Sequence, residues 1–231
     1  TTQRRGATAE ILAGLASGEV DILIGTQMVA KGHDYPGVQL VGVVAADMGL
    51  HMPDFRAAER TFQLLTQVAG RAGRAQRPGR VILQTFVPDH YAIAPVARHD
   101  YETFYATELE YRRALSYPPF GRVTQVMVSG PDEARTLHEA RRLATGVGAQ
   151  PPQDLKRDAP VAIEIVPPRY EVLGPAPAPL SRLRGQYRFQ ILVKGSDTER
   201  VRAASQRLSV AITRLPRDLR ATLDVAPVSM L

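Results

Sequence analysis

The sequence predicts two successive folds, an α/β region with a parallel sheet over residues 1–119 and a small α+β domain over 120–231. Three observations lead there. In the first half, near-continuous apolar strands alternate with amphipathic helices, the pattern of strands covered on both faces by crossover helices. Tyr117-Pro118-Pro119-Phe120-Gly121 then interrupts the chain, because consecutive prolines cannot continue a helix. Beyond that point the order reads β-α-β-β-α-β, the split βαβ of ferredoxin-like domains, with one additional short strand.

Each element has its own signal. Ile11, Leu12 and Leu15 at helical spacing predict a helix over 7–16, and Asp21-Ile22-Leu23-Ile24 reads as a buried strand. Residues 39–45 and 80–86 read as strands for the same reason, with a helix over 54–69 between them. An amphipathic helix over 101–116 closes the first half. In the second half we expect a strand over 122–129, a helix over 131–146 and a Pro-rich loop over 150–160. Short strands follow near 161–165 and 170–173, then a strand over 186–194, a helix over 197–215 and a strand over 221–225. The alternating prolines of Gly174-Pro175-Ala176-Pro177-Ala178-Pro179 predict a stiff extended loop.

Composition narrows the class of protein. The 231 residues are 44% hydrophobic and 23% charged, and no apolar run approaches the ~18 residues of a membrane span. With no cysteine, disulfides, thiolate zinc sites and cysteine nucleophiles are excluded within this sequence, and the five histidines lack zinc-ligand spacing. The opening Thr1-Thr2-Gln3-Arg4-Arg5 lacks the apolar stretch of a secretory signal, so the chain reads as a piece of a longer cytoplasmic protein. The 26 arginines against 3 lysines, with no asparagine, are read as codon bias. Charge is unevenly placed: 12 basic and 12 acidic residues precede Phe120, whereas 17 and 11 follow, so the whole excess of +6 lies in the second half. Such a half suits a polyanion such as nucleic acid, or simply a soluble surface.

Two loops carry possible chemistry. Gln67-Val68-Ala69-Gly70-Arg71-Ala72-Gly73-Arg74 ends a predicted helix; its glycines permit close backbone approach, and two arginines three apart present planar forks suited to phosphate oxygens. The plainer alternative is a glycine cap with basic residues at a helix C-terminus. Gly25-Thr26-Gln27-Met28-Val29-Ala30-Lys31-Gly32-His33-Asp34-Tyr35-Pro36 directly follows a predicted strand, where open α/β sheets bind ligands. It is no P-loop, since Gly-x4-Gly-Lys-Ser/Thr occurs nowhere in the chain.

Together these loops resemble motifs V and VI of superfamily 2 helicases. Adding Ala46-Asp47, Pro53-Asp54-Phe55-Arg56-Ala57-Ala58-Glu59-Arg60, Tyr117-Pro118-Pro119-Phe120 and Arg184-Gly185-Gln186-Tyr187-Arg188-Phe189-Gln190, the resemblance is to the PriA family of primosomal replication-restart helicases (primosomal protein N′) and spans nearly the whole chain.

That resemblance implies part of a RecA-like second helicase lobe followed by a basic DNA- and partner-binding domain. The parent would be an ATP-dependent 3′→5′ helicase that recognises abandoned forks and promotes primosome assembly. Arg74 would be the arginine finger, Arg71 its partner and Gln67 the neighbour of the γ-phosphate. Asp34 and Gly32 would approach the nucleotide, with a turn-capping Asp34 as the alternative. Thr26, Gln27 and Lys31 would hold DNA phosphates, or be ordinary loop polarity. Residues 53–60 read on their own as helix support, with Asp54 as a cap and weak pairs of Arg56 with Glu59 or Arg60 with Asp54, and in the family setting would brace motif VI. ATP with Mg2+ would be bound mainly by a preceding lobe, and zinc only by an upstream module. Single-stranded DNA, branched DNA, single-stranded DNA-binding protein and helicase-loading proteins are the implied partners. Lacking Walker motifs, this piece alone is expected to be inactive. The alternative is a scaffold whose parent has lost its ATPase.

The residues of the second half permit a further reading. Tyr187, Phe189, Ile191 and Val193 fall on one strand face, either as core or as a base-stacking platform. Arg182, Arg184, Arg188 and Lys194 form the candidate nucleic-acid group, against a solvated basic loop.

Overall fold

The computed structural model describes residues 7–26, 38–70, 79–148 and 169–230. Its elements run α1 (Ala7–Ser17), β1 (Leu40–Val43), α2 (Ala57–Ala69), β2 (Arg80–Leu83), α3 (Tyr101–Ala114), β3 (Arg122–Gly130), α4 (Glu133–Thr145), β4 (Glu171–Leu183), β5 (Gln186–Gly195), α5 (Thr198–Ile212) and β6 (Arg220–Val225). The chain divides into two compact units, one taking 1–52 and 57–105, the other 53–56 and 106–231.

In the first unit β1 and β2 pair in parallel, Leu40 opposite Arg80 through Val43 opposite Leu83. Parallel neighbours need a crossover, and α2 supplies it. Its Thr61, Phe62 and Leu65 turn inward at helical spacing. Phe62 stacks on Phe104 with ring centroids 4.1 Å apart, and Ala92, Ile93 and Val96 complete the core from a segment that carries no periodic sequence signal. The strand expected over 21–24 is not formed. Ile22 and Ile24 are 77% and 90% exposed, and among the described residues no ladder takes up their backbone groups. An apolar run becomes a strand only when a neighbour satisfies its N–H and C=O groups.

His90 gives this unit a pH dependence. Its Nδ1 accepts the Ala92 N–H at 3.1 Å, and burial holds the imidazole below its usual range. The unfolded chain therefore takes up the proton more readily, so the stability His90 contributes is complete above about pH 6.5 and is lost as pH falls through the lower folded value. Thermal unfolding from about pH 7.5 down to about pH 5 should show acid destabilisation of this unit, with a shallower slope in His90→Gln. Parallel slopes would exclude the imidazole as its source.

In the second unit the four strands run in the order β4-β5-β3-β6, every neighbouring pair antiparallel. With α4 and α5 between strands, this is the ferredoxin-like arrangement expected from the sequence. Both helices begin with an aspartate whose carboxylate accepts a backbone N–H three residues on, Asp132 from Arg135 and Asp197 from Arg200. Val126, Val128, Phe189, Ile191 and Val193 form one sheet face and pack with Leu143, Val201 and Leu208 of the helices. The face read as core or stacking platform is thus core. Beneath α5, the Thr124 and Ser205 hydroxyls bond at 2.8 Å, which satisfies two buried polar groups.

Two further differences from expectation have clear physical reasons. The helix over 101–116 ends earlier, at Ala114, because Ser116 turns left-handed (φ 53°). The Tyr117 N–H then returns to the Arg112 carbonyl and the Ser116 N–H to that of Arg113, a Schellman closure two residues ahead of the prolines. The proline-rich stretch 174–179 is part of β4 rather than a loop. Prolines are tolerated in an edge strand, where the outward N–H groups have no partner to lose. Gly174 is required there, since at φ +92° a Cβ would sit 2.7 Å from the Gln190 carbonyl oxygen. The loop expected over 150–160 and the strand near 161–165 lie outside the described residues.

Candidate functional site

The carboxyl ends of parallel strands are where an α/β sheet presents a site. Just beyond β1 lies Asp47, only 6% exposed. Its own backbone N–H holds its carboxyl below the usual carboxylate range against the desolvation that raises it, aided by the Thr85 hydroxyl, the Phe86 amide and nearby His51. The sequence marks Ala46-Asp47 but gives Asp47 no role; a polar residue directly after an apolar strand is the signal that points to it.

Gln67 is exposed in the last turn of α2, whose opposite face is pinned by Phe62 and Leu65. The Gly70 N–H still bonds the Thr66 carbonyl at 3.0 Å, so the helical hydrogen bonding runs to the edge of the arginine-containing motif. A Cβ at Gly70 would meet Thr66 O at an ordinary 3.5 Å, and the backbone there does not require glycine. Thr26 is exposed and lies outside any helix or strand. Gln27, Lys31, Gly32, Asp34, Arg71 and Arg74 lie outside the described residues.

The basic group of the second half is built on the β4–β5 hairpin. Leu183 pairs with Gln186 across a two-residue turn, Arg184-Gly185, with φ of 51° and 78°. Positive φ at both positions is the type I′ geometry that matches strand twist. Arg182 lies opposite Tyr187, its guanidinium 5.1 Å from the ring centroid, whereas Arg188 is one residue on and so projects from the other face, donating to the Leu180 carbonyl at 3.3 Å. The three arginines therefore surround a hairpin tip instead of lining one face. No acidic residue occurs between Glu171 and Asp197, so the local charge is uncompensated along the chain.

Lys194 does not belong with them. It is 4% exposed, with Nζ 2.6 Å from Glu171 Oε1, 2.7 Å from the Leu115 carbonyl and 4.3 Å from the Tyr117 ring centroid. Its donors are committed inside the domain, so its expected place in a DNA-facing group is corrected to a structural one. Strand alternation correctly assigns Lys194 to the face opposite the apolar core, but that face is itself covered.

Residues 53–56 cover part of it. The helix expected from Asp54 begins only at Ala57, because Asp54, Phe55 and Arg56 are engaged with the second unit. Phe55 stacks on Tyr117 (5.0 Å, 8°), and the Tyr117 phenol is held above its usual range by burial and then by the carboxylates of Glu171 and Asp54.

Residues 113–228 match the family model described as the primosomal protein N C-terminal domain. The chain belongs to that family. A second model, the helicase conserved C-terminal domain, matches residues 2–76, in keeping with a RecA-like assignment for the parallel pair. Similar proteins include the replication restart protein PriA of Bacillus subtilis, 46% identical over 84% of this chain and 22% of the relative. That of Synechocystis is 39% identical over 100% of this chain and 26% of the relative, and that of Treponema pallidum 38% over 99% and 32%. The primosomal protein N match spans the entire β3–β6 sheet, and the chain as a whole spans about a quarter of the length of these curated relatives.

Proposed function

We propose that the chain is the C-terminal portion of an ATP-dependent 3′→5′ DNA helicase that recognises stalled or abandoned replication forks and promotes primosome assembly. The observation that carries this reading is the succession, on one chain, of a helicase C-terminal match and a primosomal protein N match. Residues 1–119 serve as part of the second motor lobe and 120–231 as a basic DNA- and partner-binding domain. Gln67 offers an exposed amide to a γ-phosphate oxygen, while Arg71 and Arg74 bring the charge that phosphoryl transfer requires. Asp34 and Gly32 face the nucleotide, and Thr26, Gln27 and Lys31 position a DNA strand through its phosphates without reading sequence.

ATP with Mg2+ is held mainly by a lobe preceding this chain, so the piece alone does not turn over ATP. Zinc belongs to an upstream module. Single-stranded DNA-binding protein and helicase-loading proteins are the partners, in the cytoplasm at the fork. Among the described residues no helix is long and apolar enough to cross a membrane.

The test is fluorescence anisotropy of the full-length protein on a three-way fork, a matched duplex and a single strand across a salt series. Arg182→Ala with Arg184→Ala should weaken fork binding and lower the log–log salt slope by about 2, close to one unit per lost phosphate contact. An unchanged slope would remove the hairpin from the DNA interface.

A further inference from the structure

The face of the second unit's sheet that lies opposite the core is covered only at the Lys194 end. There Met230 packs with Val123 and Leu192, and Phe55 and Tyr117 lie against them. Gln125 marks the limit of that cover, its Nε2 donating to the Met230 carbonyl and to Gln190 Oε1, both at 3.2 Å. Beyond Gln125 the strand register sets two rows across the sheet. Ser129 of β3 stands between Arg188 of β5 and Arg220 of β6, and Met127 stands between Gln190 and Thr222. Directly opposed residues share a sheet face, and alternation along β3 puts all six on the side away from the buried Val126 and Val128. Arg220 and Thr222 are exposed and the other four half-buried, so among the described residues the strip is open to solvent.

Its polar groups are rich in donors and free of carboxylates. The Met230 carbonyl can only accept, which fixes the Gln125 amide as the donor and obliges Gln190 to offer it the oxygen; the Gln190 Nε2 donors are left without a partner among the described residues. Arg188 gives one N–H to the Leu180 carbonyl, and the Arg220 guanidinium gives none. Asp218, the acid nearest Arg220 along the chain, is held by Arg135 at 3.2 Å. Glu171 and Asp224 stand at the covered end, opposite Lys194 and Gln125. Such a set suits a ligand that is anionic and carries acceptors only, which describes phosphodiester oxygens. Arg188 and Arg220 are two strand spacings apart, about 10 Å, and the two rows lie ~7 Å from each other. A strip this narrow, walled on one side by Met230, suits one sugar–phosphate strand rather than the paired backbones of a duplex. No aromatic stands on either row, so the strip grips backbone and offers bases no stacking platform.

We propose that Arg188, Ser129 and Arg220, with Gln190 and Thr222 beside them, form a track on the sheet face that holds the sugar–phosphate backbone of a single DNA strand. The inference rests on the reading of this unit as DNA-binding and gives that reading a path. Arg188 is two residues from Gln186, which pairs with Leu183 across the Arg184-Gly185 turn, so the track is continuous with the basic hairpin tip and avoids the covered half. Met127, in the middle of the second row, adds an adaptable apolar contact that is indifferent to base identity.

The experiment uses the full-length protein, with a poly-dT single strand and a blunt duplex of equal length as probes, by fluorescence anisotropy across a salt series. Arg220→Ala should lower the log–log slope on the single strand by about 0.7, the value for one phosphate contact on a single-stranded nucleic acid. Arg220→Lys, which keeps the charge, should retain the slope. Gln190→Glu preserves the acceptor for Gln125 but sets a carboxylate where the amide donors were, and should weaken single-strand binding roughly tenfold through like-charge repulsion. Duplex affinity should be unchanged in all of these variants. An unaltered slope in Arg220→Ala together with full single-strand affinity in Gln190→Glu would overturn the proposal, as would equal losses on the duplex. Arg182→Ala with Arg184→Ala separates the track from the reading beneath it. Loss of binding there, with none in the Arg220 and Gln190 variants, would keep the domain on DNA and defeat this path alone. No loss in any of them would defeat the DNA reading of the domain as well.

Discussion

Alanine in place of Arg74 in the full-length protein is expected to lower ATP turnover by ~10³–10⁵-fold while leaving nucleotide affinity within an order of magnitude. An arginine finger acts on charge that develops as the γ-phosphoryl group is transferred, so its loss falls on kcat far more than on KM. The structure supports the setting: α2 is pinned by Phe62 and Leu65, Gln67 is exposed in its final turn, and helical bonding persists to Gly70 immediately before Arg71. Arg71→Ala should cost less if that residue mainly holds ground-state phosphate. Steady-state turnover and equilibrium binding of a fluorescent ATP analogue, on the same preparations, separate the two effects. Full turnover in the Arg74→Ala protein would return both arginines to the role of basic residues favourable at a helix end.

Much of this architecture was legible because it rests on local rules. The periodicity that places Phe62 and Leu65 on one face of α2, the alternation that buries Phe189, Ile191 and Val193, and the aspartates before α4 and α5 are written within a few residues of where they act. The failures share a different cause. Ile22 and Ile24 look like a strand until one asks which neighbour would take their backbone groups, and that is a tertiary question. The prolines of β4 argue against a strand until its place at the sheet edge is known. Asp54 and Arg56 look like helix support because the Met230 N–H that bonds the Asp54 carboxylate, and the Pro227 and Val228 carbonyls that accept from Arg56, lie far beyond any window in which a sequence pattern can be read. The candidate site shows the same division. Gln67 and the hairpin arginines are nominated by motif and charge and stand exposed, whereas the service to which Lys194 is put depends on Glu171 and Leu115, two residues the sequence gives no reason to pair with it.

Lys194 therefore supplies the sharpest contrast between the two kinds of basic residue in this domain. With its ammonium held by the Glu171 carboxylate, the Leu115 carbonyl and the Tyr117 ring, Lys194→Ala leaves a carboxylate and a carbonyl without their donor in a largely dehydrated place. Breaking a buried ion pair by removing one partner costs ~3–5 kcal/mol. The lower end applies, because the Glu171 side chain is 31% exposed and can recover some hydration. A loss of about 3 kcal/mol corresponds to a fall in Tm of roughly 10 °C for a unit of this size. Urea unfolding of the full-length protein should register this as a lower midpoint for the second unit. Fork affinity and its salt slope, measured well below the transition, should match the unsubstituted protein, since a cation with all its donors turned inward neutralises no phosphate. The Arg182→Ala, Arg184→Ala double variant should do the reverse, losing salt slope at nearly constant stability because exposed arginines at a hairpin tip contribute little to folding. Should Lys194→Ala instead lower the salt slope by about one unit with its midpoint unmoved, the ammonium must reach DNA in the working protein, and the inward placement would not describe that state.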